Sequence, residues 1–313
     1  MLLDIILIGI GFLFLWKGSE HFVKAAAEIA RRIGVSDLVI GLTLVSASTT
    51  LPEFTASVMA SHLGSGGIAV GNAVGSDVTN IALILGTCMV IEGYSLEPLV
   101  LKRYGITLLL VCIFFVFLVP GGISRIEGCV LLFLFFLYLW SLSRERYTKR
   151  QIIEVSRGLK EIEPEPAWKL ALKFGGGAVA IFVGARVLVN AALGIAVTLN
   201  VFESAIGSTI VALGTSLPEF SVSLRALKEN IEQISVGNIL GANTFNILWV
   251  TGVSALVNPL QLDANLKYFN VPMMIGVTAL LLAFMRMGYQ LKRWQGILFL
   301  MIYAFFVAYN YLQ

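Results

Sequence analysis

Two stretches of the chain are near-copies of one another: GLTLVSASTTLPEF at residues 41–54 and GSTIVALGTSLPEF at residues 207–220. Each places an acid directly after a proline, Glu53 after Pro52 and Glu219 after Pro218, inside an otherwise apolar segment. A charge at membrane depth is costly, so such residues normally face a bundle interior or an aqueous cavity and mark an ion path. A protonated, hydrogen-bonded core glutamate is the alternative, and two copies at equivalent positions disfavour it.

The similarity extends well beyond these two stretches. Sliding the sequence by 166 residues without a gap superposes residues 36–86 on residues 202–252, with 19 of 51 positions identical. VGNAVGSDVTNI at residues 70–81 then lies on VGNILGANTFNI at residues 236–247. Upstream, Gly11 and Gly18 match Gly177 and Gly184. The chain therefore contains an internal repeat.

The composition indicates that the chain is an integral membrane protein. Of 313 residues, 58% are hydrophobic and only 13% are charged, and the mean hydropathy is +0.87. A net charge of +3 gives no basic surface for nucleic acid. The cysteines Cys88, Cys112 and Cys129 have no CxxC spacing and are interpreted as core residues. Asp4 precedes the first apolar stretch, which favours a first membrane helix over a cleavable signal.

The sequence predicts an all-α membrane protein with ten transmembrane helices. The apolar segments lie at residues 2–31, 36–61, 66–93, 101–119, 125–143, 168–200, 203–227, 232–258, 269–286 and 291–311. A first five-helix repeat is expected at residues 1–143, a cytoplasmic loop at 144–167 and a second five-helix repeat at 168–313. Because each half has an odd number of helices, the two halves are expected to be inverted, which is a transporter architecture.

Basic residues set the predicted orientation, because cytoplasmic loops collect Lys and Arg. Threading ten helices places fifteen basic residues in the loops on one side and two, Arg125 and Lys267, on the other. We therefore expect a multi-pass protein of the cell membrane with both termini extracellular.

Polar side chains form stripes on the apolar segments around the two prolines. Proline removes a backbone hydrogen bond and bends a helix, so helices 2 and 7 are expected to be broken. Freed carbonyls at membrane depth survive where they line a cavity. The stripes are Ser46, Thr49 or Thr50, Glu53 and Ser57; Thr215 or Ser216, Glu219 and Ser223; Asn72, Ser76 and Asn80; and Asn238, Ala242 and Asn246. Hydrogen bonds between helices are the simpler alternative for any one of them.

Together these groups make an all-oxygen cluster without His or Cys. Hard cations such as Ca²⁺ favour such ligands. Two glutamates would neutralise one Ca²⁺ or hold two or more Na⁺, so the two ions would compete, as exchange requires. Asp77 is a further acid, and its repeat partner is the neutral Asn243. It could bind a third cation or a proton, or pair with a polar group outside the site.

The motifs resemble the alpha repeats of the calcium/cation antiporter superfamily, and within it prokaryotic sodium/calcium exchangers. The resemblance rests on STTLPE at residues 48–53, GTSLPE at residues 214–219, GNAVGSDVTN at residues 71–80 and GNILGANTFN at residues 237–246. It implies an antiporter that exchanges Ca²⁺ for Na⁺ by alternating access, with segments one and six sliding across the other eight. It implies neither an enzyme nor a cofactor, and no obligatory protein partner is evident.

The resemblance also implies a role for individual residues. Glu53 and Glu219, with the backbone carbonyls of Thr49 and Thr215, would bind calcium. The same glutamates would bind sodium together with Ser46, Thr50, Ser76, Ala212 and Ser216, of which Ser46 and Ala212 would use their carbonyls. Asn80 and Asn246 would complete the centre of the site.

Three departures from the family pattern bear on these roles. Ala242 stands where a serine would mirror Ser76, which puts the ion ratio in question. Ser48 replaces a glycine, and Asn246 replaces an aspartate found in some relatives, including potassium-dependent ones.

The sequence is also compatible with three other functions. A Ca²⁺/H⁺ antiporter of the same superfamily is the main alternative, although Gly75 stands where that branch usually has a glutamate. A cation channel would also use paired acids. An intramembrane hydrolase is disfavoured, because His62 is the only histidine near the motifs and lies at a predicted helix end.

Overall fold

The computed structural model describes residues 1–32, 49–96, 100–143, 166–228 and 232–312, and these residues are almost entirely helical. The helices are α1 Leu2–Arg32, α2 Leu51–His62, α3 Gly66–Val78 continuing through Thr79–Leu85 into Gly86–Ile91, α4 Leu101–Gly105 continuing into Ile106–Leu118, α5 Arg125–Ser143, α6 Ala167–Leu199, α7 Glu203–Ile206 continuing through Gly207–Val211 into Ala212–Thr215, α8 Leu217–Lys228, α9 Glu232–Phe245 continuing through Asn246–Val250 into Thr251–Val257, α10 Leu266–Asn270 continuing into Val271–Arg286, and α11 Arg293–Tyr311. A 3₁₀ turn, Val119–Gly121, follows α4.

The chain is a multi-pass membrane protein. In the described part, seven helices are long and apolar enough to cross a bilayer, and an eighth span results if α7 and α8, bent by 43° at their junction, count as one. α4 is apolar but shorter. The predicted second segment, residues 36–61, lies partly outside the described residues, which contain only α2 from it. Ten spans therefore remain a prediction.

The spans differ in how deeply they are buried. In α3 and α9, 78% and 83% of the residues in the most apolar window are buried, whereas the corresponding shares in α1, α5 and α11 are 28%, 22% and 28%. Large apolar side chains on the outer helices are exposed, such as Phe117, Ile126 and Val197. Exposed apolar surface of this kind fits contact with lipid. α3 and α9 thus form the centre of the molecule, and both carry the asparagine stripes.

α1 and α6 cross through pairs of glycines. A Cβ atom added at Gly11 would lie 3.0 Å from the carbonyl oxygen of Gly184, and one added at Gly18 would lie 3.0 Å from that of Gly177. From Gly11 to Gly18 the residue number rises along α1, while the contacted residue in α6 falls from Gly184 to Gly177. The two helices therefore run antiparallel. The four glycines are two pairs of repeat-related positions, Gly11 with Gly177 and Gly18 with Gly184. The crossing therefore has the pattern of a twofold-symmetric contact.

Departures from regular α-helix also recur at the repeat distance. Thr79–Leu85 and Asn246–Val250 are both π-helical, and subtracting 166 from the second range gives residues 80–84. Leu101–Gly105 and Leu266–Asn270 are a second such pair, since the same shift gives residues 100–104. π-Helical turns are rare and often occur at functional sites. Their recurrence at matching places shows that the two copies share local backbone geometry as well as sequence.

Two small β contacts, which the sequence did not predict, join helix ends. The strand Tyr94–Ser95 pairs antiparallel with the strand Gln290–Leu291. A single bridge joins Ile123 and Leu260. Adding 166 to Tyr94 gives Leu260, so each contact joins a loop of one repeat to a loop of the other.

Candidate ion-binding site

The two glutamates occupy matching places in two short helices. Glu53 lies in the first turn of α2 and Glu219 in the first turn of α8, and both side chains are fully buried. The amino-terminal end of a helix carries partial positive charge, which stabilises a carboxylate in the first turn. The two carboxylates lie near enough for the charge of Glu53 to act on Glu219. Neither glutamate faces the acyl chains.

The helix breaks place the glutamates at this depth. Pro218 is the second residue of α8, and Ser216 separates α8 from α7 with a bend of 43°. Pro52 is likewise the second residue of α2, which begins after Thr50. Because proline has no N–H, a helix cannot continue its hydrogen bonding through either position. The predicted break in helix 7 is present, and the part before the predicted break in helix 2 lies outside the described residues.

Asn72 of α3 forms hydrogen bonds with residues of both repeats, including Glu53. Its Nδ2 donates to the backbone oxygen of Glu53 at 3.1 Å and to Oγ of Ser57 at 2.9 Å. Its Oδ1 accepts from Oγ1 of Thr215 at 3.1 Å. The next residue along, Ser216, donates its hydroxyl to Oε1 of Glu53 at 3.1 Å. Side chains of the second repeat therefore hold the glutamate of the first.

The equivalent position in the second repeat is bonded differently. Nδ2 of Asn238 and Oγ of Ser223 have no hydrogen-bond partner among the described residues, whereas Asn72 and Ser57 are bonded to each other. Thr49, the repeat partner of Thr215, lies beside Glu219. The two halves of the candidate site are thus similar in composition but not in hydrogen bonding.

A second group of polar side chains lies between α3 and α9. Asn80 donates to Oδ1 of Asn243 at 2.9 Å, and Asn246 donates to Oδ1 of Asp77 at 3.1 Å. Asn243 donates in turn to the backbone oxygen of Asp77 at 3.1 Å. All four side chains are fully buried. The charge of Glu53 also acts on Asp77, which connects this group to the glutamates.

Several buried oxygens of both groups lack hydrogen-bond partners among the residues that the structure describes. They are Oε2 of Glu53, both carboxylate oxygens of Glu219, Oδ2 of Asp77, Oγ of Ser76, and Oδ1 of Asn80 and of Asn246. Buried polar atoms are normally paired, so a cluster of free acceptors needs a positively charged or proton-donating occupant. Oxygen-only ligands suit hard cations such as Ca²⁺ and Na⁺. The donor set therefore fits the ions that the sequence predicted.

Neutral oxygens are essential to such a site. Among the described residues, no three His, Cys, Asp or Glu side chains come together as a metal-binding group. His62, which the hydrolase alternative would need, is exposed at the end of α2. Any one ion would thus be held by at most two carboxylates together with hydroxyl, amide and carbonyl oxygens.

The remaining predicted ligands are buried in the same region where the structure describes them. Thr49, Thr50, Ser76 and Thr215 are buried, and so is Ala212, which has no polar side chain. Ser46 lies outside the described residues, as does Ser48.

Sequence reasoning did not select two residues that the structure places at the centre of the bonding. The sequence identifies Asn243 only as the counterpart of Asp77, and Asn72 only as a member of a polar stripe. The sequence feature that could have indicated Asn243 is its position. It follows Ala242 and aligns with Asp77 in the other repeat.

Comparison with known proteins agrees with the helical membrane fold. The family model described as "Sodium/calcium exchanger protein" matches residues 3–143 and 169–312. The chain is 32% identical to Sodium/calcium exchanger MaX1 of Methanosarcina acetivorans, over 96% of each chain. Its structure is similar to that of the sodium-calcium exchanger NCX_Mj, with a TM-score of 0.65 and 33% identity over 98% of each chain. A structure of the sodium/calcium exchanger from Methanococcus jannaschii matches with a TM-score of 0.61 and 33% identity, again over 98% of each chain.

The family match covers most of the chain, and the curated relative matches it from end to end. This chain is therefore a member of the sodium/calcium exchanger protein family.

Proposed function

We propose that the chain is a secondary antiporter that moves Ca²⁺ in exchange for Na⁺, and that both ions use one site by alternating access. The observation that carries the proposal is the pair of buried carboxylates, Glu53 and Glu219, at repeat-related positions with free oxygens. No ion pair joins either of them to a basic side chain in the described part of the chain. Their negative charge in a low-dielectric interior therefore requires bound cations.

The proposed ligands follow the family resemblance and the positions in the structure. Glu53 and Glu219 bind both ions, and the backbone carbonyls of Thr49 and Thr215 complete the calcium site. Sodium uses these glutamates with Ser46, Thr50, Ser76 and Ser216, the carbonyl of Ala212, and the amides Asn80 and Asn246. The same two carboxylates cannot serve a divalent ion and several monovalent ions together, so the ions exclude one another.

The proposed architecture is ten helices in two inverted five-helix repeats, at residues 1–143 and 168–313, with both termini extracellular. Antiparallel packing of α1 and α6, which are repeat-related, supports the inversion. We further propose that α1 and α6 move together across the other helices to change access. Their close glycine contacts support movement as one unit.

Calcium uptake into liposomes that contain the purified protein tests this function. A sodium gradient directed outward should drive radioactive calcium inward, and Glu53→Gln and Glu219→Gln should each abolish this uptake. Glu92→Gln is the matched control, because Glu92 is an exposed acid at the end of α3. Retained uptake in either glutamate variant would reject the site.

Proton coupling is tested in the same preparation. Sodium, potassium and pH gradients are imposed one at a time, with the membrane potential clamped. Calcium flux that follows the pH gradient and ignores sodium would replace this proposal with a Ca²⁺/H⁺ antiporter. Currents that need no counter-ion would indicate a channel.

A further inference from the structure

Asp77 is a third fully buried acid, and the bonding around it is almost symmetric. Asn80 donates to residue 243, and its repeat partner Asn246 donates to residue 77. Each of these bonds ends on an oxygen of the side chain, Oδ1 of Asn243 in one case and Oδ1 of Asp77 in the other. The four residues therefore form a twofold arrangement in which only the type of residue 77 differs.

The symmetry fails at a single atom. Asn243 uses its second side-chain atom, Nδ2, to donate to the backbone oxygen of Asp77 at 3.1 Å. The corresponding atom of Asp77 is Oδ2, which as a carboxylate oxygen has no hydrogen to donate. The reciprocal bond to the backbone of Asn243 is missing, and Oδ2 has no partner among the described residues. A buried acceptor thus stands where the other repeat has a donor.

The negative charge of Asp77 changes the number of cations needed to neutralise the buried acids. Asp77 lies within the electrostatic influence of Glu53, which in turn acts on Glu219. In the described part of the chain, none of the three acids forms an ion pair with Lys, Arg or His. One Ca²⁺ balances two of the three carboxylates, whereas three monovalent cations balance all of them. Uncompensated charge in a low-dielectric interior is strongly unfavourable.

Neutral oxygens are available beside the third carboxylate. Oδ1 of Asn246 belongs to the amide that donates to Asp77, and Oδ1 of Asn80 belongs to the amide that donates to Asn243. Oγ of Ser76, the residue that precedes Asp77, is the third such atom. All three oxygens are buried and free of partners among the described residues. Oδ2 of Asp77 and these three neutral oxygens are thus the free acceptors that this group offers to a cation.

We propose that Asp77 binds one monovalent cation of the sodium-loaded protein through Oδ2, with Asn80, Asn246 and Ser76 as neutral ligands. The inference rests on the proposed antiport function. It adds that Asp77 binds one of the sodium ions that are exchanged for each calcium ion. Asp77 is thus a negatively charged sodium ligand, whereas its repeat partner, Asn243, is neutral.

The test is the number of sodium ions coupled to each calcium ion in Asp77→Asn. This variant keeps the size of the side chain and supplies the hydrogen for the missing bond, so it should fold. In liposomes with the membrane potential clamped at zero, the calcium gradient that just stops net flux is measured at a fixed sodium gradient. With a tenfold sodium gradient, the loss of one coupled sodium ion lowers that calcium gradient by about tenfold.

The double variant Asp77→Asn with Asn243→Asp is the decisive control. It moves the acid to the symmetric position, and we expect it to restore the coupling ratio of the unaltered protein. A ratio that is the same in Asp77→Asn as in the unaltered protein would overturn the inference, and would indicate that Asp77 holds a proton throughout the cycle. Failure of the parent proposal looks different, because sodium would then fail to drive calcium in the unaltered protein as well.

Discussion

Ser216 donates a hydrogen bond of 3.1 Å to the carboxylate of Glu53, although 163 positions separate them in the chain. Ser216 lies at the break between α7 and α8, and Glu53 belongs to the first turn of α2. The hydroxyl of one repeat thus touches the acid of the other. A cation bound at Glu53 would therefore lie beside a hydroxyl of the second repeat.

The first prediction concerns this hydroxyl. Ser216→Ala removes a proposed sodium ligand and a bond to a charged group, which is worth about 1.5 kcal/mol. We expect the sodium concentration for half-maximal exchange to rise by about tenfold, with a smaller change in calcium binding. Ser216→Thr keeps the hydroxyl and imports the residue of the other repeat, Thr50, so it should remain close to the unaltered protein. Equal losses of sodium and calcium affinity in the alanine variant would argue against a sodium-specific role.

The second prediction compares Asn72 with its repeat partner Asn238. Asn72→Leu removes the side-chain donor to the backbone oxygen of Glu53 and breaks the bonds to Ser57 and Thr215, so we expect a loss of about 2–4 kcal/mol of stability. Asn238→Leu removes an Nδ2 that has no partner in the described part of the chain, and should cost much less. Thermal unfolding in detergent, followed by tryptophan fluorescence, measures both. A larger loss in Asn238→Leu would contradict the bonding described for the two halves.

The third prediction concerns close packing of α3 on α7. A Cβ atom at Gly75 would collide with backbone atoms of Ser208, which cannot rotate away. Gly75→Ala should therefore separate the helices at a cost of about 1–3 kcal/mol, lowering both thermal stability and uptake. Gly276→Ala is the matched control in α10, because nothing lies within 4 Å of the added atom. Helix propensity alone makes that change neutral or slightly stabilising.

The fourth prediction tests the crossing of α1 and α6. Gly11 contacts Gly184 and Leu188 closely, whereas nothing lies within 4 Å of a Cβ atom at Gly9 in the same helix. Gly11→Leu should push the helices apart and slow exchange strongly, and Gly9→Leu should leave the rate near that of the unaltered protein. Uptake rates at matched protein content distinguish them. Similar rates for the two variants would indicate that this contact plays no part in transport.

Long apolar helices were predictable from sequence because their length and composition are local properties. The segments predicted at residues 2–31, 168–200 and 291–311 correspond to Leu2–Arg32, Ala167–Leu199 and Arg293–Tyr311. The break at Pro218 followed from the missing N–H of proline. The π-helical turns and the pairing of Tyr94–Ser95 with Gln290–Leu291 depend on packing between distant segments, and no local pattern indicates them.

In the candidate site, too, some features follow from local sequence and others depend on contacts between distant segments. The repeat and the cost of buried charge are enough to indicate Glu53 and Glu219 from the sequence. The bridging role of Asn243 depends on what faces it from α3, so its sequence context alone could not reveal it. Asn72 and Asn238 are identical in type and in local motif, yet of the two only Asn72 has a partner for its Nδ2 among the described residues, because their surroundings differ.

The reciprocal glycine crossing bears on how such a chain could arise. Two identical helices packed antiparallel about a twofold axis would make these same two glycine pairs, the first glycine of each copy meeting the second glycine of the other. An ancestor of half the length, inserted in the bilayer in both directions, could have associated with itself through this surface. Gene duplication and fusion would then have joined two subunits that already fitted, leaving later substitutions such as the single aspartate to make the halves unequal.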